Sequence, residues 1–274
     1  MYFGRVPEGH TIHRAARQHT KLLAGRTIRV SSPQGRFSDA DRVDGATLEN
    51  VEAYGKHIFY HWDSGDVGHV HLGLFGRFRV ASGPEPIPPT GVVRMRLEAV
   101  SDTGEVVTVD LSGPTVCAID PPSVRASIIA GLGPDPLRRG ADRQKMIDKM
   151  RKSHRGIGDL LMDQSVIAGV GNVYRAEALF VQGLHPLRPG SECDPRELED
   201  LWDTVRAMLR KGVKDGRIIT VTREELGIAR GRRIQREDAT YAYKRDRCLR
   251  CGGDIRRIEI ANRTCYYCPT DQPR

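Results

Sequence analysis

The spacing of apolar and polar residues changes along the chain, and each change predicts a different kind of structure. Over residues 7–24 the apolar side chains recur at roughly helical intervals, and Gly25 follows as a helix-ending residue. From Thr27 to about Ile119 the chain consists of short alternating segments separated by Gly, Pro, Asp and Ser. This alternation is typical of an antiparallel sandwich or barrel.

The stretch GLGPDPLRRG, at 131–140, is rich in Gly and Pro and marks a joint between domains. Helical spacing follows in ADRQKMIDKMRKS, IGDLLMDQSVIA, NVYRAEALFVQG and PRELEDLWDTVRAMLRKGVKDG. The last segment, from about Ala239, is short, basic and rich in cysteine. We therefore predict an α+β protein with an N-terminal helix and antiparallel β-sandwich at 7–130, a helical domain at 131–238 and a metal-binding module at 239–274.

The distribution of charged residues indicates what kind of partner the protein binds. The chain has 43 Lys and Arg against 35 Asp and Glu, a formal charge of +8, and +6 of it lies between Ile228 and Arg274. A basic end favours nucleic acid as the partner, although a solvated surface is the simpler alternative. The sequence has neither an apolar run of about 18 residues nor a secretory signal, so we expect a cytoplasmic protein, associated with the nucleoid if it binds DNA.

Four of the six cysteines lie close together near the end of the chain. The pairs Cys248-x-x-Cys251 and Cys265-x-x-Cys268 have the spacing of a four-thiolate zinc site. In a cytoplasmic protein such clustering favours a metal ion over disulfides.

Six sites, taken in order, resemble the formamidopyrimidine-DNA glycosylase/endonuclease VIII family. They are PEG (7–9), EAYGKHIFYHW (52–62), HLGLFGRFRV (71–80), GPDPL (133–137), DQSVIAGVGNVYRAEAL with GLHP (163–186), and the cysteine module. The resemblance implies a DNA-binding helix–two-turn–helix at 160–186 and a C-terminal β-hairpin zinc finger with one structural Zn²⁺. PEGHTIHR and ARGRRIQRED are more similar to the endonuclease VIII branch.

In this family the nucleophile is the amino group of an N-terminal proline, and the resemblance gives that role to Pro7. A terminal amine with a pKa of about 7.7–8.0 is roughly 10–20% unprotonated at pH 7, far more than an ordinary lysine. Being secondary, it forms with C1′ of the sugar an iminium cation that acidifies C2′, and strand cleavage by β-elimination follows. An amide nitrogen behind Val6 cannot react in this way.

We therefore interpret residues 1–6, MYFGRV, as a mis-assigned leader. A GUG codon can initiate translation as Met but is read internally as Val, and Val6 stands where the initiator would be. The alternative is that Pro7 is only the first residue of a helix behind an inert leader.

The resemblance also assigns the other site residues. Glu8 is implied as the catalytic carboxylate, although a first-turn acid is the commoner role, and Lys56 as a strand lysine at the target nucleotide. Glu177 is implied as an inward-facing acid and Arg263 as the finger arginine that aids δ-elimination. The implied DNA contacts are Asn172, Arg263, and the apolar pair Leu74 and Phe75, which would fill the space of a flipped base. Gly158 occupies a place where the family often has a phosphate-binding lysine.

The fourth metal ligand has two candidates. Family spacing separates the cysteine pairs by sixteen residues and puts an arginine five residues before the third ligand. Here sixteen residues separate Cys251 from Cys268, and Arg263 lies five before Cys268. That register makes Asp271 the fourth ligand beside Cys248, Cys251 and Cys268, with Cys265 as the alternative.

The resemblance thus implies a monomeric bifunctional DNA glycosylase and abasic-site lyase of base excision repair. It would remove oxidised bases, pyrimidines favoured, and nick double-stranded or partly single-stranded damaged DNA. One alternative is an inactive DNA-binding protein on the same fold. Another keeps the lyase and uses Lys56 as the amine.

Overall fold

The computed structural model describes residues 7–229 and 231–274. In it the chain separates into two units, the first ending at Gly131 and the second beginning at Leu132. No helix within these described ranges is both long and apolar enough to span a bilayer.

The first unit begins with helix α1, Gly9–Leu23, which starts two residues later than the apolar spacing predicts. Its apolar stripe includes Ile12 and Ala16, both buried in the core. The helix ends through Ala24, and Gly25 follows with a φ of +76°. That left-handed conformation suits glycine, so the predicted stop is confirmed.

Nine antiparallel strands and a short helix follow. They are β1 Arg26–Thr27, β2 Arg29–Ser31, β3 Thr47–Tyr54, β4 His57–Trp62, β5 Val67–His71, β6 Arg77–Gly83, β7 Met95–Val100, β8 Val106–Ser112, β9 Val116–Asp120 and α2 Pro122–Ala130. One sheet has the order β1-β3-β4-β5-β9 and the other β2-β7-β8-β6. Apolar side chains of both sheets and of α1 form one core. The predicted sandwich is confirmed.

The predicted lysine-bearing strand is two strands joined by a turn. Strand β3 ends at Tyr54 and β4 begins at His57, so Lys56 lies in the turn and not on a strand. Gly55 has a φ of +57°, which a two-residue turn between antiparallel strands requires. The expectation that Lys56 is a strand residue is therefore wrong.

The described residues of the second unit form four α-helices and a hairpin. These are α3 Arg143–Arg151, α4 Ile157–Leu160, α5 Asn172–Val181, α6 Pro195–Asp215, β10 Arg256–Ile260 and β11 Arg263–Tyr267. Helix α6 begins with a capping box between Asp194 and Glu197 and ends before Gly216, whose φ is +68°. Its buried face includes Trp202 and Leu209.

The segment IGDLLMDQSVIA is helical only over α4, although its spacing predicts a longer helix. Polar side chains bind the backbone after Leu160 and compete with helical bonding. The Asp163 carboxylate accepts from the Ser165 backbone N–H at 3.0 Å. The Gln164 amide donates to the Val170 carbonyl at 2.9 Å and accepts from the Gly169 N–H at 3.0 Å. These bonds stabilise the two turns that lead into α5.

The hairpin β10–β11 belongs to the second unit. Its turn consists of Ala261 and Asn262, with φ values of 55° and 54°. The chain that leads to the hairpin shares an apolar core with Phe180 of α5, through residues such as Tyr241.

Candidate functional site

Pro7 and Glu8 precede the first helical residue of α1. Glu8 is the N-cap residue, with extended backbone angles of φ −120° and ψ 173°, and its side chain makes no capping hydrogen bond. Both residues are buried, and the Glu8 side chain has no exposed surface. Pro7 therefore lies outside the helix and is not its first residue. The proposed leader, MYFGRV, lies outside the described residues.

Lys56 lies beside a group of histidines on β4 and β5. His57 and His71 form a cross-strand pair, and the His57 Nδ1 atom is 2.9 Å from His69 Nε2. Burial, together with the positive charge that His71, His69 and Lys56 can bear, lowers the pKa of His57 to about 3. Burial also lowers the pKa of His69 and of His71, so these three imidazoles are neutral at pH 7.

The loop between β5 and β6 presents two apolar side chains to solvent. Leu74 is 46% exposed and Phe75 is 81% exposed, whereas Leu72 is buried in the core. Gly73 has a φ of +62°, and a Cβ there would lie 2.1 Å from the Thr115 hydroxyl oxygen. The positive φ and this contact both disfavour a side chain at 73. Leu74 and Phe75 are therefore not core residues, so packing in the hydrophobic core does not explain why they are apolar.

The turns after α4 place Asn172 as the first residue of α5, as the sequence predicts. Its amide nitrogen, Nδ2, donates to the Thr264 carbonyl of the hairpin at 3.0 Å. Its amide oxygen accepts from the guanidinium of Arg175. Asn172 therefore connects the helix N-terminus, a favourable place for a phosphate, with the hairpin.

Glu177, on the same helix, is fully buried. Its carboxylate accepts backbone hydrogen bonds from Tyr241 at 2.7 Å, Ala242 at 2.9 Å and Tyr243 at 2.8 Å, and one from the Thr220 hydroxyl. Burial raises the pKa of Glu177, and the four hydrogen bonds oppose that shift. These contacts give the carboxylate a structural task within its own unit.

Arg263 is the first residue of β11 and is exposed. It follows Ala261 and Asn262 directly, so its side chain is presented at the tip of the hairpin. A contact between this tip and Arg175 of α5 was not foreseen from the sequence. The signal in the sequence was an arginine in the mostly apolar stretch NVYRAEALFV.

Three thiols and one carboxylate meet at the base of the hairpin. The ligand atoms of Cys248, Cys251, Cys268 and Asp271 all lie within 4.8 Å of one another. Cys248 Sγ is 3.0 Å from an Asp271 oxygen, and Cys251 Sγ is 3.4 Å from Cys268 Sγ. In the described part of the chain this is the one group of three or more such residues with this geometry.

The surroundings of the cluster suit a metal ion bound by thiolates. The Arg250 N–H points at Cys248 Sγ and the Asp271 N–H at Cys268 Sγ, each at 3.4 Å, and such bonds stabilise sulfur with negative charge. Four residues of this chemistry can hold a divalent cation. Cys265 is not among them: it lies within β11, where it pairs with Ile258 of β10.

Gln272 is a second residue that the sequence did not bring to attention. Its side chain is fully buried, accepts from the Cys268 backbone N–H at 3.0 Å and donates to the Leu184 carbonyl at 2.8 Å. It therefore fixes the backbone next to two residues of the cluster.

Two family models match the chain. The formamidopyrimidine-DNA glycosylase N-terminal domain matches residues 6–115, and the formamidopyrimidine-DNA glycosylase H2TH domain matches residues 132–224. Endonuclease 8 1 of Mycobacterium tuberculosis is 43% identical, over 97% of this chain and 100% of its own length. Formamidopyrimidine-DNA glycosylase of Geobacillus kaustophilus is 30% identical, over 97% of this chain and 98% of its own.

Solved structures agree in fold. The Lactococcus lactis formamidopyrimidine-DNA glycosylase bound non-covalently to DNA with an abasic site has a TM-score of 0.75 at 20% identity, covering 97% of this chain and 100% of that one. The Thermus thermophilus protein has a TM-score of 0.73 at 25% identity, covering 97% and 98%. By its identity to full-length relatives and its match to both domain models, the chain belongs to the formamidopyrimidine-DNA glycosylase/endonuclease 8 family.

Proposed function

We propose that this protein is a bifunctional DNA glycosylase and abasic-site lyase of base excision repair whose nucleophile is the amine of Pro7. The observation that carries the proposal is full-length similarity at 43% identity to an endonuclease 8, in a chain that retains proline and glutamate at the start of its first helix. Members of the family are DNA glycosylases with lyase activity. No comparison favours the inactive DNA-binding alternative.

The working protein, in this proposal, begins at Pro7. The N-terminal family model matches from residue 6, the position just before this proline, which supports a mis-assigned leader. Pro7 lies ahead of the helix N-cap, so its nitrogen has no structural task as a helical residue. Released as a secondary amine, it gains a lone pair that the peptide bond otherwise delocalises.

The chemistry follows from that amine. The Pro7 nitrogen forms a bond to C1′ as the bond from C1′ to the damaged base breaks. Glu8 transfers the protons that base departure and sugar opening require. The resulting iminium cation draws electrons from C2′, a C2′ proton leaves, and the C3′–O bond breaks to release the downstream strand. Water then hydrolyses the iminium and returns the free amine.

DNA is bound, in this proposal, by groups of both units. Asn172 at the N-terminus of α5 and Arg263 at the hairpin tip contact phosphates, and Lys56 contacts the target nucleotide. Leu74 and Phe75 fill the space that the flipped nucleotide leaves. Their exposure supports this role, because an apolar pair in solvent has no folding task.

The metal, in this proposal, is one structural Zn²⁺ held by Cys248, Cys251, Cys268 and Asp271. Three thiolates and a carboxylate are zinc donors, and the compact geometry of the four side chains supports this set over one that includes Cys265. The ion would stabilise the base of the hairpin whose tip carries Arg263 and would take no part in the chemistry.

The protein acts, we further propose, as a monomer on chromosomal DNA in a bacterial cytoplasm and prefers oxidised pyrimidines. The greater identity to the mycobacterial endonuclease 8, 43% against 30% for the Geobacillus formamidopyrimidine-DNA glycosylase, supports the branch. Parallel assays on duplexes carrying thymine glycol or 8-oxoguanine test the preference.

Borohydride trapping on a DNA oligonucleotide with one abasic site tests the nucleophile. Two versions of the protein are compared: the 274-residue chain and a chain that begins Met-Pro7 with the Met removed by the cell. Peptide mapping then locates the adduct. Variants of the short version, Glu8→Gln and Lys56→Ala, separate proton transfer from nucleophilic attack.

An adduct on Pro7 in the short version alone supports both the lyase and the mis-assigned leader. An adduct on Lys56 in both versions keeps the lyase and rejects Pro7. If neither version is trapped although both bind the DNA, the protein is the inactive binder.

A further inference from the structure

Arg175 on α5 is fully buried, and its guanidinium lies against the hairpin turn. Its Nη1 atom donates to the Ile260 carbonyl at 3.1 Å, and its Nη2 atom lies 3.4 Å from the carbonyls of both Arg263 and Thr264. These carbonyls are on both sides of the two-residue turn. One rigid, forked side chain therefore contacts the strand that enters the turn and the strand that leaves it.

The turn itself requires such support. Both of its central residues have positive φ, and the first of them, Ala261, has a Cβ that disfavours this conformation. Asn-Gly and Gly-Gly are favoured in such a turn, whereas Ala at its first position is disfavoured. The contacts from Arg175 stabilise the conformation that places Arg263 at the tip.

The same guanidinium orients the Asn172 amide. Arg175 can only donate, so the Asn172 atom that faces it is the amide oxygen. The amide nitrogen then points the other way, and one of its hydrogens goes to the Thr264 carbonyl. Nothing among the described residues accepts the second hydrogen, which is available to a phosphate oxygen.

The close packing around Gly158 completes this arrangement. Arg175 Nη1 lies 3.4 Å from the Gly158 carbonyl, and a Cβ on Gly158 would lie 2.9 Å from Pro186 and 3.3 Å from the Ile260 side chain. The absence of a side chain at 158 thus lets α4 approach the hairpin strand that Arg175 holds.

We propose that Arg175 is a positioning residue that sets the Asn172 amide and the Arg263 turn in one arrangement for gripping DNA phosphates. The inference rests on the proposed function of those two residues as phosphate ligands. Being buried, Arg175 acts through them and not by contact with DNA.

The test is the salt dependence of affinity for a duplex with a tetrahydrofuran abasic analogue, measured by fluorescence anisotropy on the metal-loaded protein. Arg263→Ala is expected to reduce the slope of log K against log salt by about 0.9, the contribution of one phosphate neutralised by a cation. Asn172→Ala removes a neutral donor, so it should weaken affinity by roughly 2–10-fold at every salt concentration and leave the slope unchanged. Arg175→Met alone is expected to reduce the slope by up to about 0.9, through Arg263, and to weaken affinity about as much as the two single variants together, since both contacts depend on it. Adding Asn172→Ala to Arg175→Met should then change nothing further.

Arg188→Met is the matched control, because Arg188 is an arginine of the same unit that forms an ion pair with Glu197 at 2.8 Å. It should lower the melting temperature and leave the slope as in the wild type. If Arg175→Met behaves like this control, or if its effect adds fully to that of Asn172→Ala, Arg175 is merely structural and the inference is wrong.

Two further results keep the test decisive. If Arg175→Met does not fold, Arg175→Lys replaces it. An ammonium group can reach one carbonyl but cannot bridge the turn. A reduced slope in Arg175→Lys therefore supports the inference, and a wild-type slope overturns it. If Asn172→Ala binds as tightly as the wild type and Arg263→Ala leaves the slope unchanged, the phosphate contacts of the proposed function are wrong. If the two single variants weaken DNA binding and Arg175→Met does not, the positioning role of Arg175 is rejected and the phosphate contacts stand.

Discussion

The carboxylate of Glu177 accepts a hydrogen bond of 2.7 Å from the backbone N–H of Tyr241, 64 residues farther along the chain. With the bonds from Ala242 and Tyr243, it ties α5 to the chain that leads into the metal module. A buried acid surrounded by donors is hard to replace, because each donor left without an acceptor costs free energy.

Glu177→Gln should therefore lower the free energy of unfolding by about 1–3 kcal/mol, since an amide NH₂ would face backbone N–H groups. Urea denaturation measures the change. Glu259→Gln, at an exposed position on β10, is the control and should stay within about 0.5 kcal/mol of the wild type. A Glu177→Gln protein of normal stability that has lost lyase activity would instead give the carboxylate a chemical role.

Phe75→Ala should weaken binding to abasic-site DNA by about 1–3 kcal/mol, the usual value of an aromatic stacking contact with a base. It should leave stability nearly unchanged, because the side chain is 81% exposed. Leu72→Ala, at a position that is 2% exposed in the same loop, should have the reverse pattern and lose about 2–5 kcal/mol of stability. Anisotropy and thermal unfolding of both variants separate these effects, and a Phe75→Ala variant that binds normally would contradict the assigned role.

Restoring the lysine that many family members have, by Gly158→Lys, should not improve DNA binding. A Cβ at 158 would lie 2.9 Å from the Pro186 backbone oxygen, so the substitution should destabilise the second unit by about 1–3 kcal/mol. Gly131→Ala is the control, because a Cβ there would meet its nearest atom at an ordinary 3.6 Å. A stable, tighter-binding Gly158→Lys protein would refute the packing argument.

Metal analysis of ligand variants should distinguish Asp271 from Cys265. Asp271→Ala should weaken zinc binding by at least the roughly 10–100-fold that follows loss of an outer-shell partner, whereas Asp271→Cys should retain the metal. Cys265→Ala should keep one zinc per chain, because this thiol is outside the cluster. Zinc loss in Cys265→Ala with retention in Asp271→Ala would reverse the assignment.

His19 should make the first unit sensitive to acid. Burial lowers its pKa from 6.5 to about 3, and it shares a hydrogen bond of 2.8 Å with the Tyr60 hydroxyl. Between these pH values the unfolded chain binds a proton that the folded chain does not, so stability is full above about pH 6.5 and falls as the pH drops toward 3.

His19→Gln should reduce the slope of unfolding free energy against pH by up to about 1.4 kcal/mol per pH unit in that window. Tyr60→Phe is the control, because it removes the hydrogen bond but keeps the imidazole. It should lower stability by a similar amount at every pH. Equal slopes in His19→Gln and the wild type would show that His19 does not carry the acid sensitivity.

Local patterns were sufficient for the elements that depend on neighbours in sequence. The stop of α1 at Gly25 and the start of α5 at Asn172 follow from capping rules, and the sandwich follows from alternation. Lys56 was assigned to a strand because strand-like residues continue on both sides of it. The structure instead has a turn at Gly55 and Lys56, between β3 and β4. The helix expected through Ala168 failed because Asp163 and Gln164 bind the backbone themselves.

The site depended more on distant contacts. From the sequence alone, Asp271 and Cys265 are both possible fourth metal ligands. Only the folded hairpin shows that Asp271 lies beside the three other residues. Arg175 resembles any helical arginine until its contacts across 85 and more residues are known. Family resemblance supplied the roles of Pro7 and Glu8, which no spacing rule could have assigned.

The bonds of Glu177 have a consequence for how this protein can change. Thr220 and Tyr241 bind the same carboxylate, and the Thr220 N–H also donates to the Ala239 carbonyl at 2.9 Å. Both ends of the intervening segment are thereby fastened beside one carboxylate, while Val221 and Ile234 within it pack into the same core as Phe180. The number of residues between the two fastened ends can therefore vary among relatives without moving Thr220 or Tyr241, provided that the core positions of Val221 and Ile234 stay apolar.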